Sequence, residues 1–275
     1  MQNAGLAALG LDWRYLAFEV HPDELRVALE GAKAMRFIGI NLTVPHKLLA
    51  MNMVDVLDES ARTWGAVNTI RFEALDHHGQ WLPLREFSET PRQIRSQGFN
   101  TDADAISRAL REALGLELAN VSVLLLGAGG AGRTAALKLA AEKVAELFLI
   151  NRTASKTEAL AREIAIRNPE VQVTIGYPAG PVDLVLNATS LGLNPADDLP
   201  FDKTQFSVSN ARAVYDMIYR PAQTTLLKSA KAAGCLTANG LGMLLYQGAR
   251  ALEIWTGQPA PLDIMRRVLE ENVYG

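Results

Sequence analysis

The stretch Val121-Ser122-Val123-Leu124-Leu125-Leu126-Gly127-Ala128-Gly129-Gly130-Ala131-Gly132 decides the fold. Val121–Leu126 is almost wholly apolar and reads as a strand covered on both faces. It runs directly into G-x-G-x-x-G. Glycines at that spacing are a weak signal alone, and a plain tight turn is the bland alternative. Here they stand between an apolar strand and a helix predicted over Ala131–Ala141, which gives each a physical task. Gly127 permits the turn, Gly129 lets main chain approach a pyrophosphate, and Gly132 lets helix and strand pack closely. The helix start offers free N–H groups and the positive end of its dipole to phosphates.

Downstream, further apolar runs recur at Glu146–Ile150, Val171–Ile175, Val182–Leu186 and Ala213–Met217. Predicted helices over Ala154–Arg167 and Thr224–Ala233 separate them, so this half reads as a parallel, doubly wound sheet. Upstream the pattern is less regular. Arg14–Val20, Phe37–Leu42 and Ala66–Phe72 read as strands and Pro22–Ala34 as a helix, with a further short helix starting at Pro45. Ala74–Gln97 is polar and irregular and reads as an extended hairpin or insertion. A helix over Asp102–Leu114 leads into the second half, and helices over Leu241–Thr256 and Pro261–Asn272 close the chain. The expected architecture is α/β in two lobes with a cleft between them. Residues 1–102 would form one domain, completed by helices within 241–275, and residues 103–240 a Rossmann-type domain.

Composition is consistent with this. The chain has 275 residues, 49% hydrophobic and 21% charged, which excludes a disordered or fibrous protein. A net charge of −3 lacks the basic excess of a nucleic-acid-binding surface. No apolar run is long enough for a membrane span, and no signal peptide is expected. The lone Cys235 suits a reducing, cytoplasmic setting, where it would be a small buried hydrophobe. No Cys or His lies at ligand spacing, so no metal is expected. His77 and His78, being adjacent, would face opposite sides of a strand.

The cofactor can be narrowed further. An NAD site of this type places Asp or Glu at the end of the second strand, on the ribose 2′-hydroxyl. Here that strand ends in Asn151-Arg152-Thr153, with Lys156 one turn on. Cations there suit a 2′-phosphate, which predicts NADP over NAD. The bland alternative is that Arg152 and Lys156 are solvated surface charges.

Three polar clusters mark the first half: Asn41-Leu42-Thr43-Val44-Pro45-His46-Lys47, Gly65-Ala66-Val67-Asn68-Thr69 and Gly98-Phe99-Asn100-Thr101-Asp102. Singly, Asn68 and Asn100 could be turn residues, Asp102 an N-cap and Lys47 a solvated lysine. Together, in this order before a G-A-G-G-A-G loop, they resemble the shikimate dehydrogenase family. Asn151-Arg152-Thr153, Asn187-Ala188-Thr189-Ser190-Leu191-Gly192, Asp216-Met217-Ile218-Tyr219-Arg220-Pro221 and the segment from Gly240 through Gln247 to Ala249 extend the resemblance over almost the whole chain.

The resemblance implies NADPH-dependent reduction of 3-dehydroshikimate to shikimate. It implies a catalytic pair, Lys47 and Asp102, with Thr43, Asn68 and Gln247 on substrate hydroxyls and Tyr219 nearby. Gly127, Gly129, Gly130, Ala131, Asn151, Arg152, Thr153, Thr189, Met217 and Gly240 would line the cofactor, with Lys156 joining Arg152. Carbonyl reduction needs a hydride donor, a proton donor and stabilisation of a developing alkoxide, and a lysine oriented by a carboxylate meets the last two needs. A small-molecule substrate and a monomer or homodimer are expected. The family's opening strand and S-x-S-P segment, whose serines hold the substrate carboxylate, have no counterpart before Met1–Ala4, and Gln2 stands where the family has His. Two alternatives follow: an NAD-dependent quinate/shikimate dehydrogenase, and a non-catalytic NADP-binding paralogue. Trp81, Leu82, Leu84 and Phe87 in the 74–97 stretch could pack on the lobe or form a subunit contact.

Overall fold

A computed structural model describes all 275 residues. The chain divides into two compact units, residues 1–102 with 247–269, and residues 103–246 with 270–275.

Unit 1 is built on a five-stranded mixed sheet. Its elements are α1 (Gln2–Ala8), α2 (Leu25–Ala34), β1 (Gly39–Asn41), α3 (His46–Leu49), β2 (Val56–Leu57), α4 (Glu59–Trp64), β3 (Thr69–Leu75), β4 (Trp81–Pro83) and β5 (Ile94–Phe99). The strand order is β1-β3-β5-β2, with β4 pairing the far end of β3; only β2 and β5 run parallel. Alternation along β3 sends Ile70, Phe72 and Ala74 to one face, where they pack with Leu25, Leu29 and Ala32 of α2. The other face carries Phe99, which packs with Ala251, Ile254 and Trp255. The Trp255 indole also donates to the Ile70 carbonyl at 2.9 Å.

Three expectations are corrected here. Arg14–Val20 is not a strand. Its residues alternate as a strand's would, but it has no ladder partner in either sheet. The Asn3 side chain takes the place of one, accepting from the Tyr15 N–H at 2.7 Å and donating to the Tyr15 carbonyl at 3.0 Å. Of the two readings of the 74–97 stretch, the hairpin holds and the irregular insertion does not: β3 turns back antiparallel into β4, and the stretch also supplies part of β5. Leu84 and Phe87 join the core, and Trp81 lies 4.4 Å beneath the Arg95 guanidinium. Glu73, buried in this region, is held by Arg71 and Arg95. His77 and His78 sit in the β3–β4 turn, where their ring centroids are 3.9 Å apart instead of on opposite faces.

Unit 2 opens with α5 (Asp102–Leu114), whose first residue belongs to unit 1, then β6 (Ser122–Leu126), α6 (Gly130–Ala141), β7 (Glu146–Ile150), α7 (Ala154–Arg167), β8 (Gln172–Ile175), β9 (Val182–Asn187), β10 (Ala211–Asp216), α8 (Thr225–Ala232) and β11 (Leu236–Asn239). Two helices follow, α9 (Leu241–Thr256) and α10 (Leu262–Tyr274). The unit boundary falls within α9, between Tyr246 and Gln247. Six strands form a parallel sheet in the order β11-β10-β9-β6-β7-β8. From β6 the chain winds outward through β7 and β8, then returns to lay β9 on the other side of β6. That reversal is the topological switch point, where parallel sheets bind ligands at their carboxyl ends. The sequence pattern does not announce β11, because it is a short, half-exposed edge strand.

The glycine turn closes this switch point. Gly127 has φ +103°, and its N–H donates to the Ile150 carbonyl at 2.7 Å. A Cβ on Gly132 would lie 2.0 Å from the Gly127 carbonyl oxygen, whereas one on Gly129 would meet open space. Gly132→Ala should therefore destabilise the protein by about 2–3 kcal/mol. Gly129→Ala should stay within about 0.5 kcal/mol of wild type in the same urea titration.

Candidate active site and cofactor site

Unit 1 assembles a polar cluster around one buried asparagine. Asn68 precedes β3, where its N–H donates to the Phe99 carbonyl at 3.0 Å and its own carbonyl accepts from the Leu42 N–H at 2.8 Å. These bonds lock it between β5 and the chain leaving β1. Its side-chain amide donates to Asp102 Oδ1 and to Thr101 Oγ1, each at 2.9 Å. Its Oδ1 accepts from the Thr101 N–H at 2.9 Å and the Thr69 hydroxyl at 3.2 Å. Asn68 is 1% exposed. Both amide hydrogens are thus engaged within the protein, and a substrate hydroxyl could accept from Asn68 only by replacing Thr101 or Asp102.

Asp102 begins α5, where the helix dipole favours its negative charge. Its N–H donates to Asn100 Oδ1 at 3.1 Å, and the Asn100 amide donates to the Ala66 carbonyl at 3.1 Å. Asp102 Oδ2 accepts from Lys47 Nζ at 2.7 Å. Lys47 lies on α3, just after the chain turns at Pro45, and its carbonyl accepts from the Val67 N–H at 2.9 Å. The Asp102 side chain is 6% exposed and that of Lys47 22%. The carboxylate is therefore enclosed and satisfied, while the ammonium reaches solvent with hydrogens to spare. Thr43 lies exposed on the β1–α3 connection, and Gln247 is half-buried on α9. Tyr219, 36% exposed, belongs to unit 2.

Unit 2 brings together the other expected residues at the carboxyl ends of its strands. Asn151, just past β7, accepts from the Ala128 N–H at 3.0 Å and donates to the Thr153 carbonyl at 2.9 Å, so it props the glycine loop. Arg152 and Lys156 are exposed and form no ion pair. Across the switch point, the Ala188 N–H donates to the Leu126 carbonyl at 2.8 Å. Thr189 donates its N–H and hydroxyl to Asn187 Oδ1, at 3.0 and 2.8 Å. The Met217 N–H donates to the Asn187 carbonyl at 2.9 Å, and the Gly240 main chain lies against that of Met217.

These residues fit NADP(H). The α6 N-terminus is capped by Gly129 without a side-chain hydrogen bond and has no acidic residue in its first turn, which leaves N–H donors for phosphate. The open space beside Gly129 and Gly130 is a cradle that a side chain would fill. Two unpaired cations and no carboxylate follow the end of β7, which suits a phosphorylated ribose better than a free 2′-hydroxyl. No group of three or more His, Cys, Asp or Glu is placed to hold a metal, and no helix is long and apolar enough to cross a membrane.

Comparison with known proteins agrees with this geometry. Residues 1–70 match the family model for the shikimate dehydrogenase substrate binding domain, residues 109–190 that for shikimate/quinate 5-dehydrogenase, and residues 240–270 that for the shikimate 5′-dehydrogenase C-terminal domain. An NADP(+) shikimate dehydrogenase of Methanopyrus kandleri is 36% identical over 280 residues, covering 99% of this chain and 90% of that one. This chain belongs to the shikimate dehydrogenase family. Its fold matches a crystal structure of a shikimate dehydrogenase with NADP+ at a TM-score of 0.82 and 33% identity, covering 99% of this chain and 90% of that one. A second family structure, from Thermus thermophilus with NADP(H) and shikimate, matches at 0.79 and 31%, with coverages of 98% and 92%.

Sequence reasoning missed Thr101, Asn187, Asp216 and Thr224 as site-forming groups. All but Thr224 lie within the quoted motifs. The usable signal was chemical: Asn187 and Asp216 each end the buried part of a mostly apolar strand, where a polar side chain needs a partner. For Asn68, truncation to Ala would strand the Thr101 N–H and a carboxylate oxygen in a dry site. Asn68→Ala should cost about 2–4 kcal/mol in equilibrium unfolding.

Proposed function

We propose that this chain, as a shikimate dehydrogenase, reduces 3-dehydroshikimate to shikimate with NADPH, and that Lys47 and Asp102 are the proton-transfer pair. The single observation that carries the assignment of roles is the 2.7 Å bond from Lys47 Nζ to Asp102 Oδ2. NADPH, when bound, supplies the hydride.

The chain's own residues supply the rest. As charge builds on the substrate oxygen, a Lys47 hydrogen not bonded to Asp102 is donated to it, which stabilises the alkoxide and completes proton transfer. Asp102 keeps the ammonium aimed. Asn68 in turn keeps Asp102 from rotating away by holding its other oxygen. In the oxidising direction the same pair takes the hydroxyl proton back. Thr43, Tyr219 and Gln247 are assigned to substrate, and unit 1 is the substrate domain. Gly127, Gly129, Gly130, Ala131, Asn151, Thr153, Thr189, Met217 and Gly240 are assigned to NADP, with Arg152 and Lys156 on the 2′-phosphate. Unit 2 is the cofactor domain.

Lys47→Ala should lower kcat by roughly 10²–10⁴-fold with NADPH affinity near wild type, read by steady-state rates and titration calorimetry. Full turnover by that variant defeats the mechanism. Arg152→Ala should raise KM for NADPH by about ten- to a hundredfold, the equivalent of a lost charge-assisted hydrogen bond, and leave KM for NADH nearly unchanged. Equal KM values for the two cofactors in the wild type would remove the 2′-phosphate reading. A panel of shikimate and quinate with both cofactors reads substrate preference directly.

A further inference from the structure

Asp216 ends β10 with 0% exposure and takes part in no ion pair. Its Oδ1 accepts from the Asn187 amide at 2.9 Å and the Ile218 N–H at 3.1 Å. Its Oδ2 accepts from the Thr224 hydroxyl at 2.7 Å. Burial pushes this carboxyl above its ordinary range, while bonds from Thr224, Ile218 and Asn187 pull it back down. A buried carboxylate without a cation is a costly way to hold a fold together. Its advantage is that both oxygens accept, so as a carboxylate it satisfies an amide, an N–H and a hydroxyl at once.

Those three donors come from three separate segments. Asn187, also 0% exposed, passes the constraint on: its Oδ1 orients Thr189, its amide also donates to the Leu191 carbonyl at 3.2 Å, and its carbonyl receives the Met217 N–H. Ile218 follows Met217 directly. Thr224 caps α8 through the Leu227 N–H at 3.2 Å. The glycine loop is tied down instead by Asn151 and the Ile150 carbonyl. Two sets of bonds therefore shape the NADP site, and the Ala188 N–H bond to the Leu126 carbonyl links them at the strand ends.

We propose that Asp216 is a positioning residue that fixes Thr189 and Met217, which lie past β9 and β10, across β6 from the Arg152 side, and so at the nicotinamide end of a dinucleotide laid over the switch point, separately from the 2′-phosphate end. The proposal rests on the NADP reading above. It is tested by titrating wild type, Asp216→Ala and Asp216→Asn with NADPH and with adenosine 2′,5′-bisphosphate, which carries only the adenosine end. Kinetics with shikimate and NADP+ and thermal melting are measured in parallel. Asp216→Ala should bind NADPH at least tenfold more weakly and lose kcat, with adenosine 2′,5′-bisphosphate affinity within twofold of wild type. Asp216→Asn keeps one acceptor oxygen and should recover part of both losses. Unchanged NADPH affinity and kcat in the folded variants would overturn the proposal. So would a parallel loss of both ligands, the mark of a merely structural role. If Asp216→Ala does not fold, Asp216→Asn decides: a several-fold loss for NADPH alone supports the proposal, and wild-type behaviour overturns it. Failure of the NADP reading itself would show separately, as wild-type protein that binds neither ligand.

Discussion

A hydrogen bond from an asparagine amide to a buried carboxylate occurs once in each unit, and each candidate site depends on its own copy. Asn68 donates to Asp102, and Asn187 donates to Asp216, both at 2.9 Å. In each case the asparagine Oδ1 accepts an N–H from a neighbouring loop, Thr101 in one and Thr189 in the other. The physical problem is shared. Where a sheet stops, its strands release main-chain donors and acceptors that the ladder no longer satisfies. An amide side chain can serve both kinds at once, and a carboxylate beside it absorbs the surplus donors. Loops that would otherwise need water are thereby held dry and in fixed positions.

The two carboxylates differ in what surrounds them. Asp102 faces an ammonium and sits at a helix N-terminus, so its charge is compensated twice. Asp216 has only neutral donors. The first arrangement holds an ammonium in a fixed direction. The second has no compensating charge and serves as an acceptor for three donors. One residue type thus meets a charged partner in one place and only neutral ones in another, and the two proposed roles rest on that difference.

Much of unit 2 was legible in the sequence because its signals are local. The strands at Glu146–Ile150 and Val182–Leu186 are continuous apolar runs, and the helix at Ala154–Arg167 follows its strand with the expected spacing. The glycine turn was legible for the same reason: its requirements fall within six residues. Unit 1 was less so. Arg14–Val20 has strand periodicity, yet pairing depends on a neighbour that local pattern does not reveal. β4 and β5 were hidden by Pro83, Pro91 and a charged surface, because Arg95 and Glu73 satisfy each other across the sheet instead of pointing to solvent. Lys47 and Asp102 were readable by their resemblance to a known family, but Asp216 was not readable as a site residue. Its partner Asn187 lies 29 residues away, and only the register of β9 against β10 joins them.

The glycine turn is built from main chain and is tight where it meets its helix: Gly132 has no room for a methyl group. Arg152 and Lys156, by contrast, stand free in solvent on the rim. On the cofactor assignment proposed above, dinucleotide choice is uncoupled from the architecture that grips the diphosphate. A lineage could exchange one coenzyme pool for another through two surface codons, without ever passing through an unfolded ancestor.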